Sequence, residues 1–167
     1  MLRLFLLRHA KSSWAMPGQR DFDRPLNERG RGDLPKIAAL MSRRGFIPGH
    51  VYCSPAARTR ETLAGILPAF SSAPGVSYDD SLYQGDARTY YDCLRDHGEA
   101  EALMIVGHNP ACEELAVWLA GGGAGAASIE EKFPTGALAV IEFDAATWPA
   151  ILPSGARLAD FVAPAAI

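Results

Sequence analysis

The sequence predicts an α/β fold: a three-layer α/β/α sandwich whose central sheet is mostly parallel with an antiparallel edge. Three observations predict it. Short apolar runs at residues 4–7, 51–53 and Ala102–Gly107 lack polar alternation, as do strands buried on both faces. Between them lie stretches whose apolar residues recur at helical spacing, the alternation that builds a layered sheet. The last two strands, residues 136–143 and Ala156–Val162, are joined by too few residues for a crossover helix, so they pair antiparallel.

Composition bounds the rest. A chain of 167 residues, 49% hydrophobic and 21% charged, suits one domain over 1–167 and excludes global disorder. A net charge of −3 gives no broad electrostatic reason to bind nucleic acid or an anionic membrane. Cys53, Cys93 and Cys112 are far apart, odd in number and without metal-ligand spacing. They read as small buried apolar residues of a reduced compartment. The first apolar core, residues 4–7, is shorter than the roughly 7–15 residues of a signal-peptide core and runs straight into Arg8. No later segment approaches the roughly 18 apolar residues of a spanning helix, so a soluble cytoplasmic protein without a membrane partner is expected.

The elements follow in order. Strand one delivers Arg8 and His9 to the carboxyl edge of the sheet, where open α/β folds place ligands. Residues 11–25 form a polar loop too long for a simple turn; it is either functional or a connector with Trp14 and Phe22 tucked onto the surface. Asn27 caps a helix carrying Leu34, Ile37, Leu40 and Met41 inward and ending at Gly45, with a kink or looser turn expected at Pro35. His50, at the opposite edge, reads as solvated. After the strand at 51–53, Ser54 at N-cap and Pro55 at N1 start a helix with Leu63, Ile66, Leu67 and Phe70 buried. Arg58, one turn in, either completes an anion site or pairs with Glu61.

Residues 76–78 suggest a short strand, and Tyr83-Gln84-Gly85 a loop. Asp86 caps a helix to about His97, which reads as a solvated partner of the helix dipole. Strand Ala102–Gly107 repeats the pattern of strand one and ends in His108-Asn109-Pro110 before another helix with Leu115, Ala116 and Leu119 inward. The glycines at 121–125 follow a helix instead of opening one, so they read as a flexible loop, not a nucleotide fingerprint.

The topology gathers Arg8, His9, Arg58 and His108 at one sheet edge. Two guanidiniums can hold a phosphoryl group by charge-assisted bonds, one imidazole can attack phosphorus, and the other can stabilise the growing charge. No carboxylate cluster offers a metal site, and no cofactor is called for. Leu7-Arg8-His9-Ala10, Ser54-Pro55-Ala56-Ala57-Arg58 and Gly107-His108-Asn109-Pro110 resemble the signatures of the histidine phosphatase superfamily, with its phosphoglycerate mutase-like fold. The segments 24–30 and 133–137 and the small size resemble its compact, SixA-like phosphohistidine phosphatase branch. The resemblance implies His9 as nucleophile, Arg8, Arg58 and His108 as catalytic and phosphate-binding groups, and Asn109 at the pocket rim. Ala10 stands where many members have Gly. Larger members carry a Glu as general acid before the second His motif; here Asp79, Asp80, Tyr83 and Asp86 occupy that interval, none in that Glu's context, and Asp86 reads as a helix cap. The implied activity is metal-independent phosphatase turnover on a phosphohistidine protein. The alternatives are a small phosphorylated metabolite as substrate, or phosphate binding without turnover.

Overall fold

The computed structural model describes residues 1–14 and 16–167, those at 123 and 124 by their backbone alone. A single mixed sheet of 6 strands runs through it, in the order β3-β2-β4-β1-β5-β6. The strands are β1 Leu2–Arg8, β2 His50–Cys53, β3 Gly75–Tyr78, β4 Ala102–Gly107, β5 Leu138–Phe143 and β6 Ala156–Val162. The four strands from β3 to β1 are mutually parallel, whereas β5 runs antiparallel to both β1 and β6. The helices are α1 Glu28–Arg44, α2 Ala57–Ile66, α3 Ser81–Gln84, α4 Ala87–Arg95, α5 Ala111–Ala120 and α6 Gly123–Glu131.

Alternation along β1 explains the three layers. Leu4 and Leu6 point into a core shared with Tyr90, Leu94, Leu115 and Leu119 of α4 and α5. Phe5 and Leu7 point the other way, onto Leu34, Ile37 and Met41 of α1 and Leu63 and Ile66 of α2. Every one of these strand residues is essentially inaccessible to water. Burying each aliphatic side chain contributes about 1.5–3 kcal/mol, so the central strands are held from both sides.

Local signals behave as their chemistry dictates. The Asn27 side chain accepts the Gly30 N–H, and Gly45 closes α1 at φ 66°, in the left-handed region that favours glycine. The helix continues unbroken through Pro35. Asp86 caps α4 by accepting the Thr89 N–H at 2.9 Å.

Several expectations are corrected. Ser54 does not cap α2, which begins at Ala57 with Ala56 as its cap residue; the Ser54 hydroxyl bonds His108 Nε2 and accepts the Ala56 N–H at 3.4 Å, ahead of the helix. The helix stops at Ile66 and passes into a 3₁₀ turn that leaves Leu67 half-buried. Residues 121–125 are not a loop throughout. Gly121 and Gly122, at φ 70° and 92°, make the turn, and α6 starts at Gly123 because Ala126 and Ile129 give it an inward face. Tyr83 and Gln84 end the one-turn helix α3, and α4 ends at Arg95. The strand expected at 136–143 starts at Leu138, since Gly136 occupies a turn at φ 75°. His50 and His97 are half-buried and their rings lie 5.1 Å apart; the Tyr52 hydroxyl sits 2.6 Å from His97 Nδ1. In the loop at 11–25, Trp14 is 87% exposed, Phe22 packs edge-on against Tyr83, and Ala15 lies outside the described residues.

Candidate active site

Register brings the two motif histidines together. Arg8 of β1 is paired with Gly107 of β4, so the next residues, His9 and His108, leave adjacent parallel strands side by side. Their ring centroids are 5.4 Å apart. The Ser54 N–H donates to Val106 O, which brings the end of β2 to the same edge. Arg58 enters from the first turn of α2.

His9 is held in one tautomer. Its Nδ1 lies 2.7 Å from the carbonyl of Ala10, and a carbonyl can only accept, so Nδ1 carries the proton. Nε2 is then an unprotonated lone pair with no hydrogen-bond partner among the described residues. His9 is 6% exposed. Burial, with Arg58, Arg8 and Arg24 nearby, pushes its pKa down to about 3, so the imidazole is neutral at physiological pH.

His108 is framed by two hydroxyls. The Tyr90 hydroxyl accepts the His108 N–H at 3.0 Å and donates to Leu82 O at 2.8 Å. Gly107 allows this closeness, since a Cβ there would meet the Tyr90 hydroxyl at 2.5 Å. Ser54 Oγ and His108 Nε2 share a bond of 2.8 Å. When Ser54 donates, the ring proton of neutral His108 sits on Nδ1, ready to donate to an anion. Burial, then His9 and Arg58, also push this pKa down to about 3.

Arg58 is 6% exposed and does not pair with Glu61. Its terminal nitrogens donate to Asp21, one to the main-chain oxygen at 2.8 Å and the other to Oδ2 at 3.0 Å. Arg8 donates to the carbonyl of Phe133 at 2.9 Å, and Asn109 Nδ2 donates to the same oxygen at 3.0 Å. Asn109 Oδ1 accepts the Glu113 N–H, so both ends of its amide frame the loop. Among the described residues, the buried side-chain nitrogens without a partner are Arg8 Nε, Arg58 Nε and His108 Nδ1. Buried donors are seldom left unpaired, and these three belong to the groups gathered around His9. The arrangement suits a tetrahedral oxyanion, which accepts from several donors at once.

The site also recruits Asp21 and Thr62, which the sequence did not single out, together with Tyr83 and Arg24. Asp21 Oδ2 accepts from Arg58 and from the Tyr83 hydroxyl at 2.6 Å, and Oδ1 accepts from Arg24 at 3.0 Å. The Tyr83 bond, reinforced by Arg58 and Arg24, holds this carboxyl down at about 2. Tyr83 also sets its ring edge-on to His108, with centroids 5.6 Å apart. Thr62 accepts the Ala10 N–H and donates to Arg58 O, tying the loop after β1 to α2. Of the acidic candidates, Asp79 is spent on the Ser81 N–H and hydroxyl, and Asp86 on Thr89. The signal for Asp21 was the long polar loop itself.

Known proteins share this framework. A family model described as histidine phosphatase superfamily (branch 1) matches residues 4–86. An uncharacterised protein of Mycobacterium tuberculosis is 34% identical over 95% of this chain and 99% of its own length. The crystal structure of a proposed phosphohistidine phosphatase, SixA, from Agrobacterium tumefaciens is 37% identical, covers 98% of both chains and superposes with a TM-score of 0.85. A protein histidine phosphatase SixA solved with tungstate shares the fold at a TM-score of 0.79 and 19% identity, over 98% of both chains.

Proposed function

Because the chain belongs to the histidine phosphatase superfamily, in its SixA-like branch, we propose that it is a metal-independent phosphatase that removes phosphate from phosphohistidine in a protein. In this reading His9 Nε2 attacks phosphorus in line, forming an N–P bond as the bond to the leaving group breaks. The leaving group departs with the bonding electron pair. Arg8, Arg58 and His108 donate to the phosphoryl oxygens and stabilise the charge that develops on them. Water then attacks the phosphorylated His9, releasing orthophosphate and restoring the neutral imidazole. The two guanidiniums supply the positive charge that a metal ion supplies in kinases.

The state of Asp21 carries the choice of substrate. This carboxylate touches Arg58, yet Tyr83, Arg58 and Arg24 hold it ionised, with a pKa of about 2. It is no proton donor near neutrality, and an alkoxide leaving group needs one. An imidazole leaving group can arrive already protonated, so a phosphoramidate is the substrate such a site handles best.

A turnover panel tests the reading. A phosphohistidine peptide should be dephosphorylated fastest, an aryl phosphate more slowly and an alkyl phosphomonoester slowest, with rates unchanged by EDTA. Quenching in alkali should trap an acid-labile phosphoryl group on wild type and none on His9→Ala. Equal rates on the alkyl phosphomonoester would overturn the substrate assignment, and label on His9→Ala would overturn the nucleophile.

A further inference from the structure

We propose that a second anion-binding subsite adjoins the phosphoryl pocket, formed by Lys11, Arg29, Lys132 and Thr135, and that it takes a carboxylate or second phosphate carried by the substrate. The inference rests on the phosphatase reading for its biological meaning, but its physical basis is separate. A cleft of about 180 Å³ opens beside His9 and Arg8 and reaches Lys11, Trp14 and Thr135. A second cleft, of about 150 Å³, is walled by Arg8, Lys11, Arg29, Lys132, Pro134 and Thr135. Arg8, Lys11 and Thr135 line both, so the two clefts adjoin. Ligand pockets for drug-sized molecules measure roughly 300–1,000 Å³. Each half therefore admits a single small group.

The chemistry of the second half is one-sided. Four cations and a hydroxyl line it and no carboxylate does, in a chain whose net charge is −3. Lys11, Arg29 and Lys132 make no ion pair among the described residues, whereas Arg24 nearby is committed to Asp21, Ser12 and the Ser13 carbonyl. Their placement is built into the fold. The Lys11 carbonyl accepts the Asn27 N–H, and a Cβ on Gly30 would lie 2.0 Å from that carbonyl oxygen. Glycine alone lets α1 lie so close, which sets Arg29 beside Lys11. Lys132 and Thr135 come from the segment whose Phe133 carbonyl is gripped by Arg8 and Asn109. On the other rim Arg24 and Arg58 are paired with Asp21, which also accepts from Tyr83. A substrate with a second negative group would thus enter in one orientation, tail toward Lys132.

Titration calorimetry with non-hydrolysable phosphonates tests this without turnover. Butylphosphonate and phosphonobutyrate differ by a carboxylate; methylphosphonate and methylenediphosphonate differ by a second phosphoryl group. Exposed ion pairs contribute about two- to fivefold each, so wild type should bind the doubly charged member of at least one pair about tenfold more tightly. The Arg29→Ala/Lys132→Ala variant, altered at two exposed positions, should lose that preference, and Arg29→Lys/Lys132→Arg should keep it. A preference confined to phosphonobutyrate assigns the subsite to the carboxylates of an acidic protein segment, and one confined to methylenediphosphonate to a second phosphate. Wild type binding both members of each pair equally, or a preference that survives in the alanine variant, would overturn the subsite. Should phosphohistidine turnover fail while the preference holds, the substrate reading falls and the subsite stands.

Discussion

Acidification should destabilise this protein steeply, and two residues set the slope. His9 and His108 are each 6% exposed and their pKa values lie near 3, against an ordinary 6.5. In the unfolded chain both rings return to about 6.5. Between pH 6.5 and 3 the unfolded state therefore binds two protons that the native state refuses, and stability falls as pH falls. The stabilisation is fully present above pH 6.5. Each ring costs about 1.4 kcal/mol per pH unit within the window, so at pH 5 each removes about 2 kcal/mol and the pair about 4. Protonating one ring also penalises the other, since His9 is among the charges that depress His108. Urea unfolding at several values between pH 5 and 8 measures the slope. In His9→Gln/His108→Gln it should flatten by about 2.4 kcal/mol per pH unit between pH 5 and 6. His50 and His97, half-buried and also depressed, are present in both proteins and cancel. Parallel profiles for wild type and variant would show that the rings are not held neutral, and the nucleophile argument would fail with them.

Two further substitutions report on how the pocket is held. Tyr90→Phe strands the buried His108 N–H and Leu82 carbonyl; it should cost about 1–3 kcal/mol in urea unfolding and lower kcat. Arg58→Lys keeps the charge but loses the planar fork that grips Asp21 and leaves Nε for the anion. Vanadate, which mimics the transferring phosphoryl group, should inhibit that variant at least about tenfold less tightly; unchanged inhibition would place Arg58 outside the pocket.

Much of this arrangement was legible in the chain because it hangs on strand ends. An apolar run that stops at Arg8-His9, and another that stops at Gly107-His108, announce both the strand and the edge where the next side chain stands. Caps were equally readable, since Asn27, Gly45 and Asp86 act on residues three or four positions away. What escaped depends on distant partners. Ser54 has the local pattern of a cap, but His108, 54 residues on, claims its hydroxyl. Asp21 acquires its role from Arg58 and Tyr83, 37 and 62 residues away. The glycines at 121–125 carry two functions in one run, a turn and a helix start, and composition alone does not divide them.

The main chain at His9 is tied on both sides: its N–H donates to Gly107 O, and its carbonyl accepts the Gly136 N–H. His9 is thus stitched between β4 and the turn before β5, in the middle of the sheet. The orientation of its ring was settled at folding, and for the proposed attack on phosphorus it need not be achieved again in each encounter. Nor can the ring loosen by a local opening of the kind that frees surface segments, because releasing it means parting central strands. The groups around the mouth, Asp21, Lys11, Trp14 and Lys132, sit instead on connecting segments, where change is tolerated. On the proposed reading, reaction and recognition therefore occupy parts of the molecule with different freedom to vary, and over evolutionary time such a scaffold can exchange one phosphorylated partner for another while its chemistry stays where it was.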